Sequence, residues 1–431
     1  MTQAAPELVH WLLKLGVKFN MSGYDDVDLR NFGGQKKKRT AFAQSDTGKQ
    51  IMTAMIDAVR RKEASGMVER FSHHSFLTLR LCGNICCGCV IRDEYSQKTV
   101  ELPGDAVIVA TGGMHGLFGN TTGSLSNTGE VTAELFRLGV PLANGEMIQY
   151  HPTTVKCGGK RMLISEAARG EGGRLFAMKD GKQWYFMEEK YPELGNLMPR
   201  DITAREIWKV SHESEVFLDM TEISEEIISN KLSGLADDCM TYLHKDIRNE
   251  PVSVLPGIHY FMGGILVDEQ HRTPIQNLYA AGECCAQYHG ANRLGGNSLL
   301  GALYGGRVAA KSACEQADVV DLSCATQIDF PPASQISEIK QLNKVMQETM
   351  GVVRNENTLL NGIQTVQALT GNLPLLGMAV LKSALARKES RGAHWREDYP
   401  KSNDDDYLKT TVARFDGKQI QISFVPVPER R

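Results

Sequence analysis

Two stretches of this chain end alike. Residues 105–113 read DAVIVATGG and residues 275–283 read IQNLYAAGE, each a continuous apolar run that stops at glycine. A strand with apolar side chains on successive positions has no polar face to give to water, so it must be covered on both sides, as in a parallel sheet between helices. Ending such a strand in glycine brings bare main chain to the carboxyl end of the sheet, where ligands of open α/β folds bind. The two runs predict one nucleotide-binding sheet, buried on both faces and interrupted by an insert.

A sheet that holds a dinucleotide commonly opens with strand, G-x-G-x-x-G and helix, whose N–H groups meet the pyrophosphate. The 431 residues contain no such motif. RGEGGR at 169–174 is glycine-rich, but its spacing fails and no buried strand precedes it. The expected fold is therefore α/β, a Rossmann-like domain incomplete at its N-terminal side, with parts at 1–148 and 263–320 around an α+β capping insert at 149–262. Helical periods in ISEIKQLNKVMQETMGVV, TLLNGIQTVQAL and LGMAVLKSALARKES predict a C-terminal helical domain over 321–400, entered by a linker at 314–335 that carries DFPPAS. KTTVARFDGKQIQISFVPVPERR reads as a strand pair turning at Asp-Gly with a proline-broken tail, 401–431. Near the start, MTQAAPELVHWLLKLGV is an amphipathic helix without the basic region of a signal peptide, and TGKQIMTAMIDAVRRK carries a second helical stripe.

A net charge of −3 gives no overall attraction to nucleic acid or anionic membrane, and the basic run KKKR at 36–39 reads as a solvated loop. No apolar stretch approaches the roughly 20 residues of a spanning helix. Four of the ten cysteines crowd into LCGNICCGCV, as Cys82, Cys86, Cys87 and Cys89. Their spacing matches neither a zinc ribbon nor a ferredoxin pattern. They read as small apolar residues of a strand-turn-strand, in a chain suited to a reducing compartment.

Five places set polar groups beside glycine or proline. They are His151 in MIQYHPTTV, Ser165, Glu166 and Arg169 in LISEAARGEGG, Arg200 in LMPRDITAREI, His259 in GIHYFMGGI and Arg293 in HGANRLGGNS. Singly, each has a plain reading: Arg200 with Asp201 as an exposed ion pair, Glu166 with Arg169 as a helix-surface pair, His259 as a core histidine. Together, arginines, histidines and a serine suit the two carboxylates of a small dicarboxylate, because arginine grips carboxylate through two parallel hydrogen bonds. An arginine–carboxylate–arginine series can also pass protons.

The order of FGGQKKKRTAFAQSDTG, VIVATGG, QYHPT, SEAARGEGGRL, PRDITAREI, IHYFMGGI, LYAAGE, HGANRLGGNSLLGALYGGRVA and ARKESRGAH resembles the flavoprotein subunit of fumarate reductase and succinate dehydrogenase, over essentially the whole chain. The resemblance implies FAD as cofactor, fumarate and succinate as substrates, and hydride transfer at flavin N5. It implies that His151 and Ser165 bind one substrate carboxylate and His259 and Arg293 the other. Arg200 would be the proton donor to the alkene carbon, with Glu166 and Arg169 delivering protons to it. Flavin contacts are implied for Gly112, Gly113, Glu283, Ser298 and Leu299, and for Glu130, which stands where the family has the aspartate of NTGD. An iron–sulfur subunit and membrane-anchor subunits are implied as partners, placing the chain on the cytoplasmic face of a membrane through them.

Serine at 165 replaces the family's more frequent threonine and keeps the hydroxyl. Without the G-x-G-x-x-G segment, residues 1–431 alone are expected to hold FAD poorly. Two other readings carry the same motifs in part. L-aspartate oxidase shares HPT, SEA-RGEG and PRD, although ANRLGGNSLL and ESRGAH look like the fumarate branch. An inactive fragment lacking its flavin anchor is the reading from outside the enzymes.

Overall fold

The computed structural model describes residues 1–427 apart from 25, 36, 45, 125, 287, 318–327, 329 and 331–334. Most of the expected linker at 314–335 and the end of the expected tail therefore lie outside the described residues. The chain forms two compact units: Met1–Arg70 with Tyr150–Ile258 and Leu294–Leu300, and Phe71–Gln149 with His259–Arg293 and Gly301–Arg431.

In the first unit, helix Ala5–Leu15 ends at Gly16, whose φ of 98° is left-handed backbone that glycine enters without a Cβ clash. Its buried Leu8 and Leu12 lie on the face that packs against helix Thr47–Ala64, whose buried positions are Ile51 and Ala54. An antiparallel sheet runs in the order Lys182–Trp184, Arg174–Lys179, Val216–Asp219, Val252–Ser253. Strand alternation turns Leu175, Ala177, Val216 and Leu218 into a core with Ile164, Ala167, Phe186 and Ile207. Ala167 comes from the short helix Glu166–Gly170 and Ile207 from helix Arg200–Val210. The core thus fixes the two helices that carry Glu166, Arg169 and Arg200.

In the second unit, the cysteine-rich segment forms the expected hairpin, His74–Cys82 against Ile85–Asp93, extended by Thr99–Pro103. Cys86 and Cys87 are buried strand residues, and burial pushes the Cys86 thiol up to about 11. Val107–Val109 pairs in parallel with Leu278–Ala280, in the register Leu278 to Val107 and Ala280 to Val109. Leu278, Ala280 and Val109 pack with Leu79, Cys86, Leu135 and Ile265. Burial on both faces is met by Leu278–Ala280 but not by Val107–Val109, where Ile108 is 40% exposed. Side chains of a strand alternate, and among the described residues the apolar cluster covers the Val109 side only.

The helical segments appear as Ile336–Thr349, Glu356–Val366 and Asn372–Ala386, which pack on one another. Asn355 caps the second, accepting the Thr358 N–H at 2.9 Å. Asn372–Ala386 also packs on helix Glu130–Arg137 and on the final hairpin, Lys409–Phe415 with Ile420–Pro426. Beneath them the ARKESRGAH segment builds a buried ionic network. Arg387 donates to Glu146 Oε1 at 2.7 Å and Glu389 Oε1 at 2.8 Å, and to the main-chain oxygens of Tyr407 and Lys409. Arg354 donates to Glu146 O and to His394 Nδ1. Burial and then Arg354 hold His394 well below the usual histidine range, so the ring stays neutral and its Nε2–H donates to Arg387 O at 3.2 Å. Among the described residues no helix is long and apolar enough to cross a membrane.

Candidate active site

Glu166, Arg169 and Arg200 come together in the first unit. Pro199 precedes Arg200 and, lacking an N–H, ends the preceding loop so that Arg200 opens its helix. The Arg200 guanidinium donates Nε–H and Nη2–H to Glu166 Oε2, at 3.0 and 2.7 Å. Arg169, one helical turn beyond Glu166, donates to Glu166 Oε1 at 3.1 Å and to Asn196 O at 2.6 Å. Glu166 and Arg169 are 2% exposed and Arg200 is 7% exposed. Burial lowers the Arg169 pKa, against the opposing pull of Glu166. The plain reading of Arg200 fails here, since Asp201 pairs with Arg205 at 3.4 Å while Arg200 turns to Glu166.

Two glycines make the space for this carboxylate. A Cβ on Gly33 would stand 2.5 Å from Glu166 Oε1, and one on Gly295 would stand 2.7 Å from Oε2. The glycines following Arg293 thus serve Glu166 in part, a role their sequence spacing did not reveal. Gln35 keeps Gly295 in place, donating from Nε2 to its carbonyl at 3.0 Å. Ser165 caps the Glu166 helix by accepting the Ala167 N–H at 3.2 Å, which uses a lone pair and leaves the hydroxyl proton for donation. His151 is fully buried in strand Ile148–Cys157, where its Nδ1 meets the main chain of Thr153. Ser298 and Leu299 lie in the first turn of helix Asn297–Gln316, where main-chain N–H groups lack helical acceptors.

The second unit carries the remaining candidates, Glu130 among them. Arg293 is 3% exposed and stacks over the Tyr260 ring, with Cζ 4.5 Å from the centroid, a cation–π contact. Gln149, itself buried, donates to Arg293 O at 2.7 Å and to Asn292 Oδ1 at 3.0 Å. The ESRGAH segment presses on the same loop: Ala393 N–H donates to Ala291 O at 2.9 Å, and a Cβ on Gly392 would stand 2.5 Å from that oxygen. His259 Nδ1 lies 2.8 Å from Thr122 Oγ1. Glu130 is exposed in the first turn of its helix, where its charge favours the helix N-terminus.

At the carboxyl ends of the parallel strands, ATGG and AAGE meet. A Cβ on Gly113 would stand 2.7 Å from Glu283 Oε1, and Phe261 N–H donates to that oxygen at 3.0 Å. Gly112, with φ 73°, has its Cβ position filled by the Asn127 amide, 2.5 Å away. Burial raises Glu283 to about 7 and lowers His115 to about 4. His115 is thus neutral, and its 3.7 Å approach to Glu283 is no ion pair near neutral pH. A bare glycine turn against a carboxylate, at the ligand end of parallel strands, fits a flavin nucleotide. Sequence reasoning missed Gly33, Gln149, Tyr260 and Thr122, of which the first three lay inside quoted motifs and Thr122 did not.

This fold and these sites define a flavin-dependent oxidoreductase. Residues 1–299 match the FAD binding domain family and residues 369–430 match the fumarate reductase flavoprotein C-terminal family. The succinate dehydrogenase flavoprotein subunit of Bacillus subtilis is 35% identical over 495 aligned positions, covering 100% of this chain and 84% of that protein. The E. coli quinol fumarate reductase structure superposes with a TM-score of 0.88 at 26% identity, covering 99% of this chain and 82% of that one. Adenylylsulfate reductase from Archaeoglobus fulgidus shares the fold, with a TM-score of 0.73 at 16% identity, covering 99% of this chain and 82% of that one. The chain belongs to the FAD-binding flavoprotein family of succinate dehydrogenases and fumarate reductases, and FAD is its cofactor.

Proposed function

We propose that this chain interconverts fumarate and succinate as the flavoprotein subunit of a respiratory complex. The observation that carries this reading is the buried Arg200–Glu166–Arg169 series, with glycines 33 and 295 closed around its carboxylate. FAD, when bound, supplies the hydride donor for fumarate and the hydride acceptor for succinate. His259 and Arg293 take one substrate carboxylate, while His151 and Ser165 take the other. Arg200 gives a proton to the alkene carbon of fumarate, or receives one from the methylene of succinate.

Free arginine holds its proton far too tightly for acid catalysis near neutral pH. A bound carboxylate partner changes the demand, because Glu166 returns a proton as Arg200 gives one up and Arg169 supplies the next. Gly112, Gly113, Glu130, Glu283, Ser298 and Leu299 hold the flavin in this reading. An iron–sulfur subunit carries its electrons and anchor subunits tie the complex to the cytoplasmic face of a membrane, as the relatives' description as subunits supports.

The test is Arg200→Lys in the flavin-loaded enzyme. Lysine keeps the charge but loses the planar two-donor grip on Glu166 Oε2, so fumarate turnover falls by roughly 10²–10⁴-fold while flavin content and dicarboxylate affinity hold. Near-native turnover would remove Arg200 from proton transfer.

A further inference from the structure

We infer that Thr122 is a positioning residue that sets the ring orientation and tautomer of His259 for substrate binding. The inference rests on the dicarboxylate reading above. Neutral imidazole offers one N–H and one lone pair, and which nitrogen holds the proton depends on the partner of the other. Thr122 Oγ1 lies 2.8 Å from His259 Nδ1. That bond restrains the ring about its Cβ–Cγ axis and engages Nδ1, and Nε2 is assigned to the substrate. With the Thr122 hydroxyl donating to Nδ1, the proton sits on Nε2, the form that donates to a carboxylate.

The segment bearing Thr122 is held firmly enough for this role. The adjacent Thr121 Oγ1 bonds His115 Nδ1 at 2.9 Å, and the His115 ring sits edge-on to Phe261 with centroids 5.0 Å apart. A Cβ on Gly123 would stand 2.3 Å from the same ring, so the chain must be glycine there to pass it. Upstream, Asn343 of helix Ile336–Thr349 donates to Gly116 O at 2.5 Å, and Gln347 of that helix donates to Phe118 O. Two neighbouring threonines thus engage two different histidines, His115 beside Glu283 and His259 of the carboxylate site. A residue whose only work was packing would need its methyl group and no hydroxyl.

The experiment compares Thr122→Val and Thr122→Ser in the flavin-loaded enzyme. It reads malonate affinity from the change in flavin absorbance, together with KM and kcat for fumarate. Thr122→Val keeps the shape and removes the hydroxyl, so malonate affinity falls about tenfold and KM rises in step, with kcat within about threefold of native. Thr122→Ser restores affinity to within about threefold. In a His259→Ala background Thr122→Val has no further effect, because the two act as one unit. Native malonate affinity in Thr122→Val, failure of serine to rescue, or an undiminished effect without His259 would each overturn the inference. If His259→Ala and Arg293→Ala both bind malonate as the native enzyme does, the dicarboxylate reading itself fails.

Discussion

Among the described residues each unit holds a buried arginine–glutamate network, and the two are built on different terms. Arg387 donates from Nε and both terminal nitrogens, reaching Glu146, Glu389, Thr411 and the main-chain oxygens of Tyr407 and Lys409. Arg396 and Arg354 likewise reach main-chain oxygens, at Ala384, Gly351 and Glu146. Carbonyl oxygens do not titrate in the physiological range, so they tie these arginines in place beside Glu146 and Glu389. Arg200, by contrast, donates twice to one oxygen of Glu166, a group that can carry a proton. Equal burial therefore says little about role. The main-chain ties of Arg387 mark a scaffold, and the paired donation of Arg200 to one carboxylate oxygen suits a relay.

The comparison breaks most visibly at Arg387. Arg387→Met leaves Glu146 buried without its cation, while Glu389 keeps Arg391, at a cost of about 3–5 kcal/mol of folding stability, and kcat per folded, flavin-loaded molecule stays near native. Chemical denaturation and single-turnover assays on one preparation check both halves. Lost turnover at native stability would erase the distinction from Arg200.

A smaller effect is expected at Gly295. Its backbone is ordinary, but an alanine Cβ would stand 2.7 Å from both Glu166 Oε2 and Phe32 Cβ. Overpacking of that kind costs about 1–3 kcal/mol. Gly295→Ala pushes the carboxylate off Arg200 and lowers kcat about 10–100-fold, with KM little changed. A variant with native kcat would show that Glu166 tolerates displacement and does not relay protons.

The smallest effect concerns Glu283. In flavin-free protein its folded pKa, about 7, lies above the ordinary value of 4.5. The folded state therefore holds a proton that the unfolded chain releases, and stability falls as pH rises from 4.5 to about 7. Glu283→Gln removes that slope and gains on the order of 1–2 kcal/mol at pH above 7. Urea unfolding at a series of pH values reads it directly. An unchanged slope would place the titrating group elsewhere.

Some of this was legible in the sequence. The i,i+3 spacing of Glu166 and Arg169 and a proline before Arg200 mark local geometry, and local geometry survives folding. The strand pair Val107–Val109 and Leu278–Ala280 was legible because each run ends in glycine, although the exposure of Ile108 was not, since burial belongs to the partner surface. Gly33 and Gly295 flank Glu166 from positions more than 120 residues away, and Thr122 reaches His259 from 137 residues away. No periodicity encodes such meetings; only the packed chain brings them together.

The central claim is that the Arg200–Glu166–Arg169 series serves a C4 dicarboxylate. The most direct test offers fumarate, succinate and L-aspartate separately to one flavin-loaded preparation and measures flavin oxidation or reduction with each. Fumarate is expected to reoxidise reduced flavin and succinate to reduce oxidised flavin, both lost in Arg200→Lys, with L-aspartate inert. Flavin reduction by L-aspartate, with fumarate and succinate without effect, would contradict the claim.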